Sequence, residues 1–238
     1  MSSTARSDLV VDSGWPWPLV LTVNRRARKL RLRLDPRRKQ LVLTCPPRVG
    51  RRSALAWAEQ HRLWAKQAVA NIPDGTPLAP GAIIPFDGRD IRLEWGVDYT
   101  RTPRLVGETL RCGGPPEGFA GRIARWLRRE ALLVLSEETA AAAAKAGVRV
   151  VSVGVGDAAT RWGSCSAGGA IRYNWRLILA PPAVRRWVVA HEVAHRLHLD
   201  HSPAFKQAEQ ALYAGDVAAA RSELRRLSAR LKGIGAPV

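Results

Sequence analysis

Leu30, Leu32 and Leu34 alternate with Arg31 and Arg33, and apolar residues recurring every second position mark a half-buried strand. Leu41 to Thr44 reads as its partner across a turn at 35–40, and Pro46-Pro47 stops the pair. The arginines of this hairpin are expected to face solvent. A helix is predicted from about Arg51 to Asn71, with Leu55, Ala58, Leu63, Trp64 and Val69 as core positions. Residues 73–112 are rich in Pro and Gly and hold the short apolar runs Ile83-Ile84, Ile91 to Trp95 and Arg104 to Leu110. They read as a small antiparallel sheet that continues the first hairpin.

Cys112-Gly-Gly-Pro-Pro-Glu-Gly118 is the strongest break in the pattern. After it comes a long helix, about 119–146, which Gly147 would close in a left-handed conformation. Val148 to Val155 and Ile171 to Leu179 read as strands joined by a turn that includes Arg161-Trp-Gly-Ser-Cys-Ser166. Pro181-Pro182 opens a helix to about Leu199, since proline suits a first helical turn. Helical stretches at 203–213 and 216–231 finish the chain, and no internal repeat is visible. The pattern divides the protein into an N-terminal arm (1–18), a basic β-rich subdomain (19–117) and a second subdomain (118–238), an α+β fold.

Composition narrows the class. The 238 residues are 46% hydrophobic, enough for a sizeable core. No apolar run reaches the roughly 18–20 residues of a membrane span, and residues 1–18 lack the pattern of a secretory signal. Three widely spaced cysteines (Cys45, Cys112, Cys165) argue against a disulfide framework and for a reducing, cytoplasmic setting. The net charge of +18 changes the picture more, because 38 basic residues, nearly all Arg, oppose 20 acidic ones. A nucleic acid or nucleotide could bind an arginine-rich N-terminal face. An arginine-biased, solvated surface explains the same excess, and is the reading favoured here.

The chemistry concentrates in His191-Glu-Val-Ala-His195. Residues four apart project from one side of a helix, so both imidazoles can reach one ion, while Glu192 lies about 100° around the axis and can serve as general base. A catalytic zinc takes three protein ligands and leaves one position open. His198 sits about 10.5 Å along a straight helix from His191, too far to converge with it. His201, just before Ser202-Pro203, lies where the chain can turn back and is the preferred third ligand; Glu209 and Glu223 are the acidic alternatives. Arg161, Tyr173 and Asn174 are candidates to stabilise an oxyanion, and His61 reads as structural.

Thr160 through Ser166, Ile171 to Trp175, Pro181 and His191 through Phe205 together resemble the YgjP-like metal-dependent hydrolases, small zincins related to the SprT-like group. The resemblance spans about residues 20–213. It implies a zincin-like domain with Zn2+ on His191, His195 and His201, Glu192 as catalytic acid/base, and a peptide or protein substrate. The same histidine spacing occurs in metzincins, but those carry Gly where this chain has His198, and no Met-turn is visible. Lys206 departs from the family in standing where an aromatic commonly follows Phe205. Trp162 is expected to pack under the zinc helix, Gly163 to permit the turn, and Cys165 to be buried. The expected activity is peptide-bond hydrolysis. Two alternatives are hydrolysis of a nucleotide phosphate anhydride at the same site and a nucleic-acid-associated protease or binding protein.

Overall fold

The computed structural model describes residues 9–11, 14–35, 38–70 and 75–235, and divides into two compact units, 1–74 and 75–238. In the first unit, strands β1 (Leu9–Val11), β2 (Leu19–Val23), β3 (Arg31–Asp35) and β4 (Gln40–Cys45) form a sheet of order β1-β2-β4-β3. The central pair β2–β4 is parallel and the outer pairs are antiparallel. Leu32 pairs with Leu43 and Leu34 with Leu41, so the alternating leucines share a face with Leu19 and Leu21. That face buries against the alanines Ala54, Ala58 and Ala65 of helices α1 (Arg51–Glu59) and α2 (Arg62–Ala70), whose small side chains let the helices lie close.

Three expectations change here. The single helix is two, broken at Gln60-His61, and the break carries Leu63 and Trp64 to solvent at 69% and 43% exposure. Ala65 takes the core place instead. Trp15 and Trp17, expected in the N-terminal arm, pack on this core, while residues 1–8, 12 and 13 of that arm lie outside the described residues, as do 36 and 37 of the expected turn. His61 is held by the Trp57 carbonyl at 3.0 Å from Nδ1 and stacks on the Trp57 ring.

The second unit starts with its own sheet: β5 (Ile83–Phe86), β6 (Arg89–Trp95), β7 (Arg104–Val106) and β8 (Thr109–Cys112), in the order β5-β6-β8-β7. It does not continue the first hairpin. Its centre, β6–β8, is parallel and its outer pairs are antiparallel, the topology of the first sheet over again. Each sheet also ends in a cysteine followed by a Pro-Pro pair and then a helix, so a repeat that residue identity conceals is present in the fold. The Cys112–Gly118 stretch lies inside this unit, and the division falls instead at 74/75. Its glycines serve close packing: a Cβ on Gly113 would sit 2.0 Å from the Tyr99 carbonyl oxygen. Arg122 pins the stretch further, donating to Pro115 O at 2.8 Å.

Helix α3 (Phe119–Ala146) buries Phe119, Ile123, Leu127, Ala131, Leu135 and Thr139 along one stripe and closes on Gly147 at φ 65°. Strands β9 (Ser152–Gly156), β10 (Gly163–Cys165) and β11 (Ala170–Asn174) make a third sheet, with β11 between antiparallel β10 and parallel β9. The strand expected to run to Leu179 stops at Asn174, whose Oδ1 accepts from Arg176 N and turns the chain into a 3₁₀ segment, Trp175–Leu179. Helices α4 (Pro182–Ala194), α5 (Pro203–Tyr213) and α6 (Val217–Gly233) complete the unit. With six α-helices and three small sheets among the described residues, the fold is α+β.

One buried cation anchors α4. Arg185 is enclosed, with its guanidinium 2.8 Å from Glu138 on α3 and 2.8 Å from Asp87 in the β5–β6 turn. Truncating one partner of such a pair leaves the other charge buried and uncompensated, so Arg185→Ala should cost about 3 kcal/mol. Urea unfolding checks this, and a loss below roughly 1 kcal/mol, the range of a surface pair, would show that the pairing does not anchor the helix.

Candidate metal centre

Pro182 starts α4 without an amide hydrogen to leave unpaired, and Val184, Trp187, Val188 and Val193 are buried in the core of the second unit. The helix ends at Ala194, earlier than expected. Arg196 N bonds Val193 O, and Leu197 N and His198 N both bond Ala194 O, so the chain tightens and turns away. His191 sits in the last turn and His195 at the cap. The turn brings His201 back over both. Ser202 then caps α5, its Oγ accepting from Phe205 N at 3.3 Å, while Asp200 Oδ1 accepts from Ser202 N at 3.2 Å. Phe205, buried, floors the group, with its ring 4.6–5.1 Å from all three imidazole centroids.

His191, His195 and His201 thus offer nitrogens that all lie within 4.8 Å of one another. His191 Nε2 and His201 Nε2 are 3.4 Å apart. Two imidazoles on one tetrahedral zinc, at about 2.0–2.1 Å each, would stand roughly 3.3–3.4 Å apart, so the pair is spaced for an ion. The opposite ring nitrogens are engaged. His191 Nδ1 is 2.9 Å from Glu209 Oε1, and His195 Nδ1 is 3.2 Å from the His198 carbonyl. Donation from Nδ1 fixes the tautomer and leaves each Nε2 lone pair directed into the cleft. Burial pushes both imidazoles below their ordinary pKa, against the opposing pull of Glu209 on His191, which favours the neutral form a metal needs. The donor set fits zinc.

Glu209 and Glu223, the acidic alternatives, take other places. Glu209 is 1% exposed, and its Oε1 also accepts from Trp187 Nε1 at 2.8 Å. It braces His191 from behind. Glu223 pairs with Arg226 on the exposed side of α6. His198 contributes its backbone, not its ring.

Glu192 is 5% exposed, and burial raises its pKa to about 7 against the nearby charge of Arg161. The reason for Gly163 follows. A Cβ there would sit 2.3 Å from Glu192 Oε1 and 2.6 Å from its Cδ. Gly163 is required by the approach of Glu192, rather than by a left-handed turn. Trp162, expected under α4, packs on the core of the second unit and donates from Nε1 to Ser228 Oγ of α6 at 3.0 Å.

An open cleft of about 370 Å³ connects these groups, lined by Arg161, Gly163, Ser164 and Cys165 on one side and the histidines, Glu192 and Leu199 on the other. Cys165 is half-buried rather than buried, with its thiol pKa raised by desolvation. Of the three oxyanion candidates only Arg161 lines this cleft. The Tyr173 hydroxyl is buried against Thr139 Oγ1 at 2.9 Å, and the Asn174 amide is spent on Arg176 N and Ala158 O. No described helix is long and apolar enough to cross a membrane.

The pattern of the YgjP-like metallopeptidase domain matches residues 28–227. No protein of curated function matches the chain. Among solved structures, the metallopeptidase zymogen abylysin of Pyrococcus abyssi is similar at 16% identity and a TM-score of 0.35, over 39% of this chain and 90% of that one. With 200 consecutive residues under one family pattern, spanning all three histidines and Glu192, the chain belongs to the YgjP-like metallopeptidase-domain family.

Proposed function

We propose that the protein is a zinc-dependent peptidase in which His191, His195 and His201 hold the ion through Nε2 and Glu192 is the general base. The observation that carries this is the convergence of three imidazoles, two of them braced at Nδ1, beside a carboxylate seated on Gly163. Bound there, zinc would supply Lewis-acid polarisation of the scissile carbonyl and acidify a water in its open position. Glu192 takes the proton from the attacking water and passes it to the leaving amine. Burial raises its pKa to about 7 in the metal-free site, and a cation bound beside it would lower that value. Arg161 lines the cleft wall, which supports a role for it in stabilising developing negative charge.

Strand β10 gives the substrate a guide. The bonds Asn174 N to Trp162 O and Ser166 N to Ala170 O turn Trp162 and Ser166 toward β11. By the alternation of an antiparallel ladder, Ser164 faces β11 as well, and the backbone groups of Gly163 and Cys165 face outward along the sheet edge. An extended peptide added at this edge, which borders the cleft, would gain main-chain hydrogen bonds.

Zinc analysis and casein hydrolysis by wild type and Glu192→Gln test the reading, with nucleoside triphosphate hydrolysis as the control. Both proteins should carry one zinc, and the variant should lose about 10²–10⁴-fold in casein hydrolysis. Absence of zinc from both, or activity on triphosphates alone, would overturn it. Glu209→Gln should weaken zinc about 10–100-fold in a chelator competition, because His191 loses its carboxylate partner; unchanged affinity would remove Glu209 from the site.

The readiness of Glu192 also has a cost. Its folded pKa, about 7, lies above the reference 4.5, so its contribution to stability is present below about pH 4.5 and is lost as pH rises through 7. In chelator-treated protein, Glu192→Gln should therefore exceed wild type in stability by about 3 kcal/mol at pH 8 and converge with it near pH 4. Denaturant titrations at the two pH values check the sign.

A further inference from the structure

The sheet that guides the peptide has a second face. Gly163 points its missing side chain at Glu192, and its pair Tyr173 points into the core, so that face belongs to the cleft side. Trp162, Ser164, Arg172 and Asn174 alternate onto the opposite face. On β9 the partners of Arg172 and Asn174 are Gly154 and Gly156, so the floor there has no side chains. A pocket of about 220 Å³ results, and it shares Arg161, Gly163 and Ser164 with the cleft. The Arg172 guanidinium lies over Gly156, 3.1 Å from where a Cβ would stand.

The charges of this pocket are unequal. Arg161 and Arg172 are exposed cations with no ion-pair partner among the described residues. The one acid in the lining, Asp157, is held by the buried Arg176 and lies 4.0 Å from Arg128. Arg172 therefore remains for an anion that comes from outside, with Arg161, whose charge also acts on Glu192, at the shared rim.

We propose that this pocket is a specificity subsite for a carboxylate side chain, Asp or Glu, of the peptide substrate. The proposal rests on the peptidase reading above and deepens it. An extended peptide along β10 sends successive side chains to alternate faces of the sheet. When one residue faces the zinc cleft, its neighbour falls beside Ser164 and Arg172. An acidic neighbour would meet Arg172 on the sheet face and Arg161 at the shared rim. Arg172 then selects substrate without touching the reacting atoms.

The test uses fluorogenic peptides that differ only in Glu or Gln at each position flanking the cleaved bond, with the full-length zinc-loaded protein. One position should favour Glu by about tenfold in kcat/KM, expressed in KM, and the preference should shrink with added salt. Arg172→Lys should keep the ratio above one, and Arg172→Glu should invert it toward a Lys-bearing peptide. The same Glu-to-Gln ratio should appear in equilibrium binding to Glu192→Gln, followed by fluorescence anisotropy. That binding separates the two readings. If wild type cleaves nothing yet the binding preference is present and depends on Arg172, the subsite stands and the peptidase reading fails. If peptides are cleaved with no position preferring Glu, or the preference survives Arg172→Glu, the subsite is overturned. Displacement of the acidic peptide by inorganic phosphate at micromolar concentration would also overturn it, by identifying a phosphate site.

Discussion

The centre depends on a carboxylate that never meets the cleft. Glu209 is enclosed on α5 and uses one oxygen to receive both Trp187 Nε1 and His191 Nδ1, two groups one turn apart on α4. A buried carboxylate is expensive unless it is fully bonded, and the two donors, together with Arg221 at 3.7 Å, give it that company. The arrangement fixes the rotation of the His191 ring and ties α5 to α4. The tie keeps Phe205 beneath the imidazoles and the Ser202 cap beside His201. At the other end of α4, Arg185 performs the corresponding task against α3. The helix carrying the histidines is thus held at both ends by buried charge, and its middle by apolar packing.

The cleft wall is shaped by absent side chains. Gly163 lets Glu192 lie directly against β10, where desolvation lifts the carboxyl toward neutrality. Gly154 and Gly156 leave room on the reverse face. A three-residue strand thereby separates two spaces of different character, one around Glu192 and the histidines, the other between two arginines. Thin walls of this kind need a rigid backing. It comes from β11, whose Tyr173 is bonded to α3 and whose Asn174 starts the buried 3₁₀ segment.

The sequence made some of this legible and concealed the rest, for physical reasons. The four-residue interval of His191 and His195 is a helical repeat, and the end of α3 at Gly147 is a local conformational demand, so both are visible without tertiary knowledge. His201 was reachable because Ser202-Pro203 is itself a helix start. The work of Glu209 was not, because it depends on the crossing of α4 and α5, and a carboxylate eight residues past a histidine looks the same whether it would bind a metal or brace a ring. Gly163 read as a turn residue because sequence displays conformational freedom but not the neighbour that occupies the vacated space. The break at Gln60-His61 carries neither proline nor glycine. The Cys112–Gly118 stretch misled in the opposite direction, since residues typical of linkers also permit backbones to touch.

The two four-stranded sheets sharpen the same point. Their strand orders and their parallel centres are identical, yet their residues share little beyond a cysteine, a proline pair and a following helix. Topology of this kind is imposed by which strands can pair and where the chain must cross, and many apolar sets satisfy it. The site is held to a much narrower standard. Adding one methyl at Gly163 meets a carboxylate oxygen, and removing the charge from Glu209 leaves two donors competing for a neutral amide. The four-stranded sheet of the second unit can therefore tolerate wide substitution, while the site, with Gly163 of β10 in it, is fixed by about half a dozen contacts around α4. Those contacts are costly in themselves: a carboxyl held near pH 7 and imidazoles pushed below their ordinary pKa both lose solvation that the unfolded chain would keep. The compensation has to come from elsewhere in the unit, from the apolar stripe of α3 and from Trp175, Leu177, Ile178 and Leu179 of the 3₁₀ segment, which carry no reacting group.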